Sequence, residues 1–190
     1  MKRTLINYLG LLGMVSLLSY TAAVIFSPLA YPDYHWLSQA VSDLSAEAAS
    51  SRTLWNQLSA LYMPCGIVCC TVNCIAVAGK YNKMLRLGVY LFALMNWVTA
   101  VGYAMFPLTD AGTPNGFQNI MHLVVTGAVV ALSILALVLM ICGGCFQRQC
   151  RSLGFWAGAA LFLMILGAVG VNLLSRAYFG LAERFSTFAA

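Results

Sequence analysis

The 190-residue chain is 62% hydrophobic and only 8% charged, with a mean hydropathy of +0.85, whereas soluble domains carry about 25% charged residues. This leaves no room for a sizeable soluble domain and describes one membrane domain. The net charge of +5 does not imply nucleic acid, because the Lys and Arg residues sit in short breaks between apolar stretches and form no basic patch interleaved with aromatics.

A spanning helix needs about 20 mostly apolar residues. The first such stretch covers residues 5–27, behind Met1-Lys2-Arg3, and stops at Pro28. It exceeds the roughly 7–15-residue core of a signal peptide, so it reads as a retained span. A hydrophilic segment follows from Tyr31 to Arg52. The second span is placed at 53–79, and a basic break runs from Lys80 to Arg86. The third, 87–106, ends at Pro107 and opens into a Gly/Pro-rich connection carrying Asp110. Thr113-Pro114 has the form of an N-cap followed by proline at the first helical position. The fourth span is 118–145, and the fifth, 153–175, comes after a break with Arg148 and Arg151. The tail ends in 185–190, which reads as the first turns of a sixth span. The predicted class is therefore all-α: a polytopic transmembrane helical bundle with five full spans plus the start of a sixth, one domain over 1–190.

Seven of the ten Lys and Arg residues (2, 3, 80, 83, 86, 148 and 151) fall on one side of these spans. The positive-inside bias places that side, and the N-terminus, in the cytoplasm, most simply at a bacterial inner membrane. Asp33, Asp43, Glu47, Asp110 and Glu183 all fall on the other side. Acidic residues contribute little to topology, so the bias reflects either polar chemistry at that face or merely the need of outer loops to be wet.

Separate parts of the chain bring polar residues to this outer side. His35, Ser38 and Ser42 are spaced three and four apart and share a face if the segment is helical; Asp43 follows. Asp110 lies just past Phe106-Pro107, and Glu183-Arg184 opens the last segment. His122 is nine residues after Thr113, so about 13 Å along the fourth helix. An intramembrane histidine is a functional candidate unless a neighbouring helix partners it. The candidate ligand-binding set is His35, Ser38, Ser42, Asp43, Asp110, His122, Glu183 and Arg184. Each also has a structural role to offer: Ser42 and Asp43 as caps, Asp110 as a turn residue, and Glu183 with Arg184 as a pair or a helix cap.

A Ser, a His and an Asp form a nucleophile, base and orienter only when they meet. Ser42, Asp110 and His122 are the catalytic candidates, without a Gly-x-Ser-x-Gly elbow. With two histidines in the chain, His35, His122 and Asp110 form a weak zinc set at best. No metal or cofactor is expected. Cys65, Cys69, Cys70 and Cys74 lie within a span, and Cys142, Cys145 and Cys150 near a membrane edge; none suggests a disulfide framework. The i, i+4 cysteines, Gly154 with Gly158, and Gly167 with Gly170 suit close helix packing, and Asn73, Asn96 and Asn172 read as helix–helix hydrogen-bonding groups.

Three strings carry a resemblance: His35-Trp36-Leu37-Ser38-Gln39-Ala40-Val41-Ser42-Asp43-Leu44, Phe106-Pro107-Leu108-Thr109-Asp110 with the later His122, and Gly180-Leu181-Ala182-Glu183-Arg184. In this order the chain resembles the bacterial and archaeal membrane family called domain of unknown function 998 (DUF998). The resemblance implies a six-helix bundle without an established activity. Because this chain stops where the sixth helix begins, it implies a shortened chain, or a helix supplied by a homo-oligomer or a partner. A weaker similarity of the Ser42-Asp43 region and His122 to the eukaryotic Frag1/DRAM/Sfk1 family implies a link to membrane lipids, by analogy alone. Three functions compete: binding or sensing of a lipid or small amphiphile at the outer boundary, hydrolysis of lipid headgroups, and small-solute transport. Transport has least in its favour, since broken helices with polar midplane residues are missing.

Overall fold

A computed structural model describes residues 5–109 and 116–189. Five of its helical runs are long and apolar enough to cross a membrane: Leu5–Ala30, Arg52–Val77, Lys83–Met105, Phe117–Cys145 and Arg148–Leu173. Among the described residues there is no strand, so the protein is an all-helical bundle with the composition of an integral, multi-pass membrane protein.

The first run is α1 (Leu5–Gly10) followed by α2 (Leu12–Phe26), broken at Leu11 and closed by a short 3-10 turn, Ser27–Ala30. The second is α3 (Arg52–Leu58) and α4 (Tyr62–Val77). Pro64 explains that break: its ring would meet the carbonyl of residue 60 in a continuous helix, while the first turn of a new helix tolerates it. Tyr62 N–H turns to Ser59 O instead. The Leu58 carbonyl it abandons accepts from Ser19 Oγ at 2.5 Å, and Ser16 Oγ donates to Tyr62 O at 2.7 Å. Ser19 thus satisfies a carbonyl that the break frees and that hydrocarbon would leave unpaired, and Ser16 ties the first turn of α4 to α2.

α5 (Lys83–Met105) starts on Asn82, whose Oδ1 accepts the Leu85 N–H at 2.8 Å. α6 (Phe117–Cys145) starts behind Gly116, where φ is 98°. Gly116 is the cap of this helix; Thr113-Pro114, read from the sequence as a cap and first helical position, lies outside the described residues. α7 (Arg151–Leu173) is followed by a 3-10 turn and α8 (Phe179–Ala189). α8 begins before the predicted 185–190 and includes Glu183 and Arg184.

Chain neighbours are also spatial neighbours: α4 packs on α2 and α5, α6 on α5 and α7, and α8 on α7. Tyr20 of α2 meets Phe188 of α8 edge-to-face at 5.6 Å, which closes the ring. Leu85, Val89, Leu137, Met140, Ala157 and Met164 form the packed interior, while Phe155, Trp156 and Phe162 face outward, as a bilayer solvent requires.

Small residues set the closest approaches. A Cβ on Gly143 would lie 2.5 Å from the Leu85 nitrogen, and one on Gly144 would lie 2.8 Å from Gly154 Cα. Gly170 faces Ala182, and Gly13 faces Cys69. Gly158 has open space around it, so it is no packing partner to Gly154. Asn73, Asn96 and Asn172 also depart from expectation. Each turns its amide back onto its own helix, to Cys69 Sγ, Phe92 O and Ala168 O, and none of these bonds crosses to another helix.

Candidate functional site

Lys80, Lys83, Arg86, Arg148 and Arg151 lie at one end of the bundle, the basic rim; Asp33, Asp43, Glu47 and Glu183 lie at the other, the acidic rim. The long segment 31–51 folds over the acidic rim as turns with one 3-10 element, Ser42–Ser45. The stretch from His35 to Ser42 is not an α-helix, so the three-and-four spacing does not create a shared face. Its core is Leu44, fully buried, with Val41 and Ala46. Ser51, also fully buried, donates to Leu44 O at 2.8 Å.

α8 clamps this segment. Gly180 makes the approach geometrically allowed: a Cβ there would overlap Gln39 O and sit 2.7 Å from Trp36 O. Leu181 N–H then reaches Leu37 O at 3.0 Å. Arg184 donates through Nη1 to the carbonyls of Trp36 (2.6 Å), Gln39 (3.3 Å) and Gly180 (2.7 Å), and through Nη2 to the Tyr34 hydroxyl (2.8 Å). Tyr34 in turn donates to Ala40 O at 2.7 Å. The guanidinium carbon also lies 6.0 Å and 5.8 Å from the Tyr34 and Trp36 ring centres.

Glu183 points elsewhere, its Oε2 accepting Val41 N–H at 2.7 Å. Glu183 and Arg184 therefore do not pair; among the described residues the one ion pair is Arg52–Glu47, at 3.4 Å. Burial holds the Glu183 carboxyl above its ordinary pKa, with Asp43 adding to the rise, while the Val41 amide and Arg184 offset part of it. Asp43 is raised for the same reason, less the effect of the Ala40 N–H, which it accepts at 3.1 Å. Burial likewise raises Tyr34, against the pull of Arg184. Glu183, Arg184 and Asp43 are thus brought together, with Tyr34, Trp36 and Gln39.

The other predicted residues serve different ends. His35 acts through its backbone, donating its N–H to Gln39 Oε1 at 2.6 Å, and its ring is exposed. Ser38 Oγ donates to His35 O, and Ser42 offers its carbonyl to Ser45 Oγ. Asp110 lies outside the described residues. His122 is five residues after Phe117, so only about 8 Å along α6. Its Nδ1 is 2.9 Å from Phe106 O; since a carbonyl only accepts, that nitrogen carries the proton. Its ring is stacked on Tyr103 at 4.8 Å. Among the described residues no hydrogen bond joins Ser42 to His122, so the nucleophile–base contact that a hydrolase needs is not made.

Tyr34, Trp36 and Gly180 are the residues that sequence reasoning passed over as site members, although all but Tyr34 lie within the three quoted strings. Asn119, buried three positions before His122, is another: its Oδ1 accepts from Thr109 N and Oγ1 at 3.1 and 2.8 Å. It holds the end of the second connection, which pairs with the first through Glu47 N–H to Leu108 O and Ala48 N–H to Thr109 O.

The family model described as "Protein of unknown function (DUF998)" matches residues 14–190. The chain belongs to this family. No curated protein and no solved structure matches it. The resemblance read from three short strings thus extends over nearly the whole chain, and the family brings no activity with it.

Proposed function

We propose that this DUF998 protein sits in a bacterial cytoplasmic membrane, N-terminus inside, and binds or senses a lipid or small amphiphile at its acidic rim. The observation that carries the binding reading is a groove of about 240 Å³ beside α8. Leu163 of α7 and Leu181, Phe185 and Phe188 of α8 line it, and Arg184 is its one charged member. Apolar walls with a single cation match a molecule that is apolar along its length and polar at one end. Orientation is supported by the five described Lys and Arg residues of the basic rim against Arg52, Arg176 and Arg184 at the acidic one. A cysteine placed at exposed Ala48 should react with an impermeant maleimide on intact cells, and one at exposed Gln149 should not; the reverse result would invert the topology.

Native mass spectrometry of gently extracted protein tests the binding. A bound mass in the lipid range is expected, and Leu163→Trp, which fills the groove, should remove it. Bare protein alone, under conditions that preserve lipids on other membrane proteins, would end the reading.

A further inference from the structure

We infer that the α8 groove holds one acyl chain of a glycerophospholipid whose phosphodiester is gripped by Arg184, an inference that rests on the amphiphile-binding reading and names its ligand class. A guanidinium has five N–H donors in a planar fork. In Arg184, Nη1 is occupied by the carbonyls of Trp36, Gln39 and Gly180, and Nη2 gives one bond to Tyr34. Among the described residues the Nε–H and the second Nη2 N–H have no acceptor. These two nitrogens lie on the edge of the fork away from Nη1, an edge that can bind two oxygens of a phosphate at once.

Charge points the same way. Arg184 is surrounded by neutral acceptors and an aromatic pair. Glu183, the adjacent carboxyl, is spent on the Val41 amide, and Asp43 on the Ala40 amide; neither forms an ion pair with Arg184. Glu183 feels the charge of Arg184 but does not bond to it, and a cation at a membrane boundary with no carboxylate on its N–H groups attracts an anion from the bilayer itself. Arg176, exposed in the turn before α8, adds a second positive charge on this rim. Phe185 and Phe188 lie farther along α8 from the rim than Arg184 and are both exposed, so a chain descending from a phosphate on Arg184 runs directly along them. The groove is open and lined along one side by α8, which suits one chain of a membrane lipid whose other chain stays in the bilayer.

The test uses the full chain in neutral maltoside micelles with equimolar dioleoyl phosphatidylglycerol and dioleoylglycerol, which share acyl chains and differ in the phosphate. Native mass spectrometry should find the phosphatidylglycerol adduct favoured by about tenfold or more, as a two-pronged charge-assisted contact implies. Arg184→Gln should bring the ratio near one while the dioleoylglycerol adduct persists. Because that variant also loosens the rim, Leu163→Trp serves as the second arm: it leaves the clamp intact and should weaken both adducts. A ratio near one in the unaltered protein, or a preference that survives Arg184→Gln, would each overturn the phosphodiester assignment alone. Absence of every lipid adduct would overturn the amphiphile-binding reading with it.

Discussion

At the basic rim α5 and α6 meet backbone to backbone, with Gly143 against Leu85, and α6 meets α7 at Gly144 and Gly154. Asn82 reinforces the corner, capping Leu85 N–H and donating to Gly143 O at 2.8 Å. Toward the acidic rim Gly102 of α5 meets α6 only through the Val125 side chain, and among the described residues no backbone-to-backbone glycine contact joins the long spans there. A turn-rich segment is tied down instead by side chains reaching main-chain groups about 145 positions away, such as Glu183 to Val41 and Arg184 to Gln39. One end is held by shape and short connections, the other by polar bonds between distant parts of the chain. A rim of the second kind can loosen while the helices beneath it stay packed.

That contrast is open to attack at both ends. The largest effect should come from Gly143→Ala, whose methyl must push against the Leu85 backbone; a loss of roughly 1–3 kcal/mol is expected, read as a lower thermal midpoint in micelles. Gly158→Ala, in open space on α7, is the matched control and should change little. Equal effects would show that close approach is not what holds the basic rim.

A smaller effect is expected from acid and base at the other rim. Glu183 and Asp43 both have raised pKa values in the clamped state. The clamped form therefore binds protons more tightly than an undocked one, so clamping is favoured at and below the ordinary carboxylate range and weakens as pH rises through the raised values. Amide hydrogen exchange at Val41, corrected for its intrinsic pH dependence, should speed up over that window. Glu183→Gln keeps an acceptor for Val41 N–H without the charge and should flatten the curve. Protection that increases with pH would mean that the carboxylates are stabilised, not strained, in the clamp.

The smallest effect should follow Arg52→Ala. The Arg52 and Glu47 side chains are 44% and 41% exposed, and surface pairs of this kind contribute about 0–1 kcal/mol. A midpoint shift as large as that of Gly143→Ala would mean that charge pairing, and not the buried clamp, organises this rim.

Much of the bundle was legible because the bilayer imposes a simple rule. A helix that crosses must be long and apolar, and Pro28, Lys80 to Arg86, Pro107 and Arg148 mark where it stops. The break at residues 59–61 was not foreseen, although Pro64 signals it, because hydropathy averages across a kink. The site was legible only in part. Glu183, Arg184 and Asp43 stood out as charges, but the partners of Arg184 are backbone carbonyls, which any residue supplies. His122 stood out as an intramembrane histidine, yet its partners, Phe106 O and the Tyr103 ring, carry no distinctive sequence mark.

Apolar run length and the distribution of charge, properties of the chain taken locally, were enough to determine an all-helical membrane bundle and its two unlike rims. Only the tertiary structure decided that Glu183 and Arg184 turn away from each other to seize separate parts of the 31–51 segment, that His122 is bonded to Phe106 and not to Ser42, and that Gly143 is a contact while Gly158 is not. The physical reason is range: insertion into a bilayer is governed by each segment's own free energy of transfer, whereas a hydrogen-bonded clamp or a glycine contact exists only once distant segments have been placed within a few ångströms of each other.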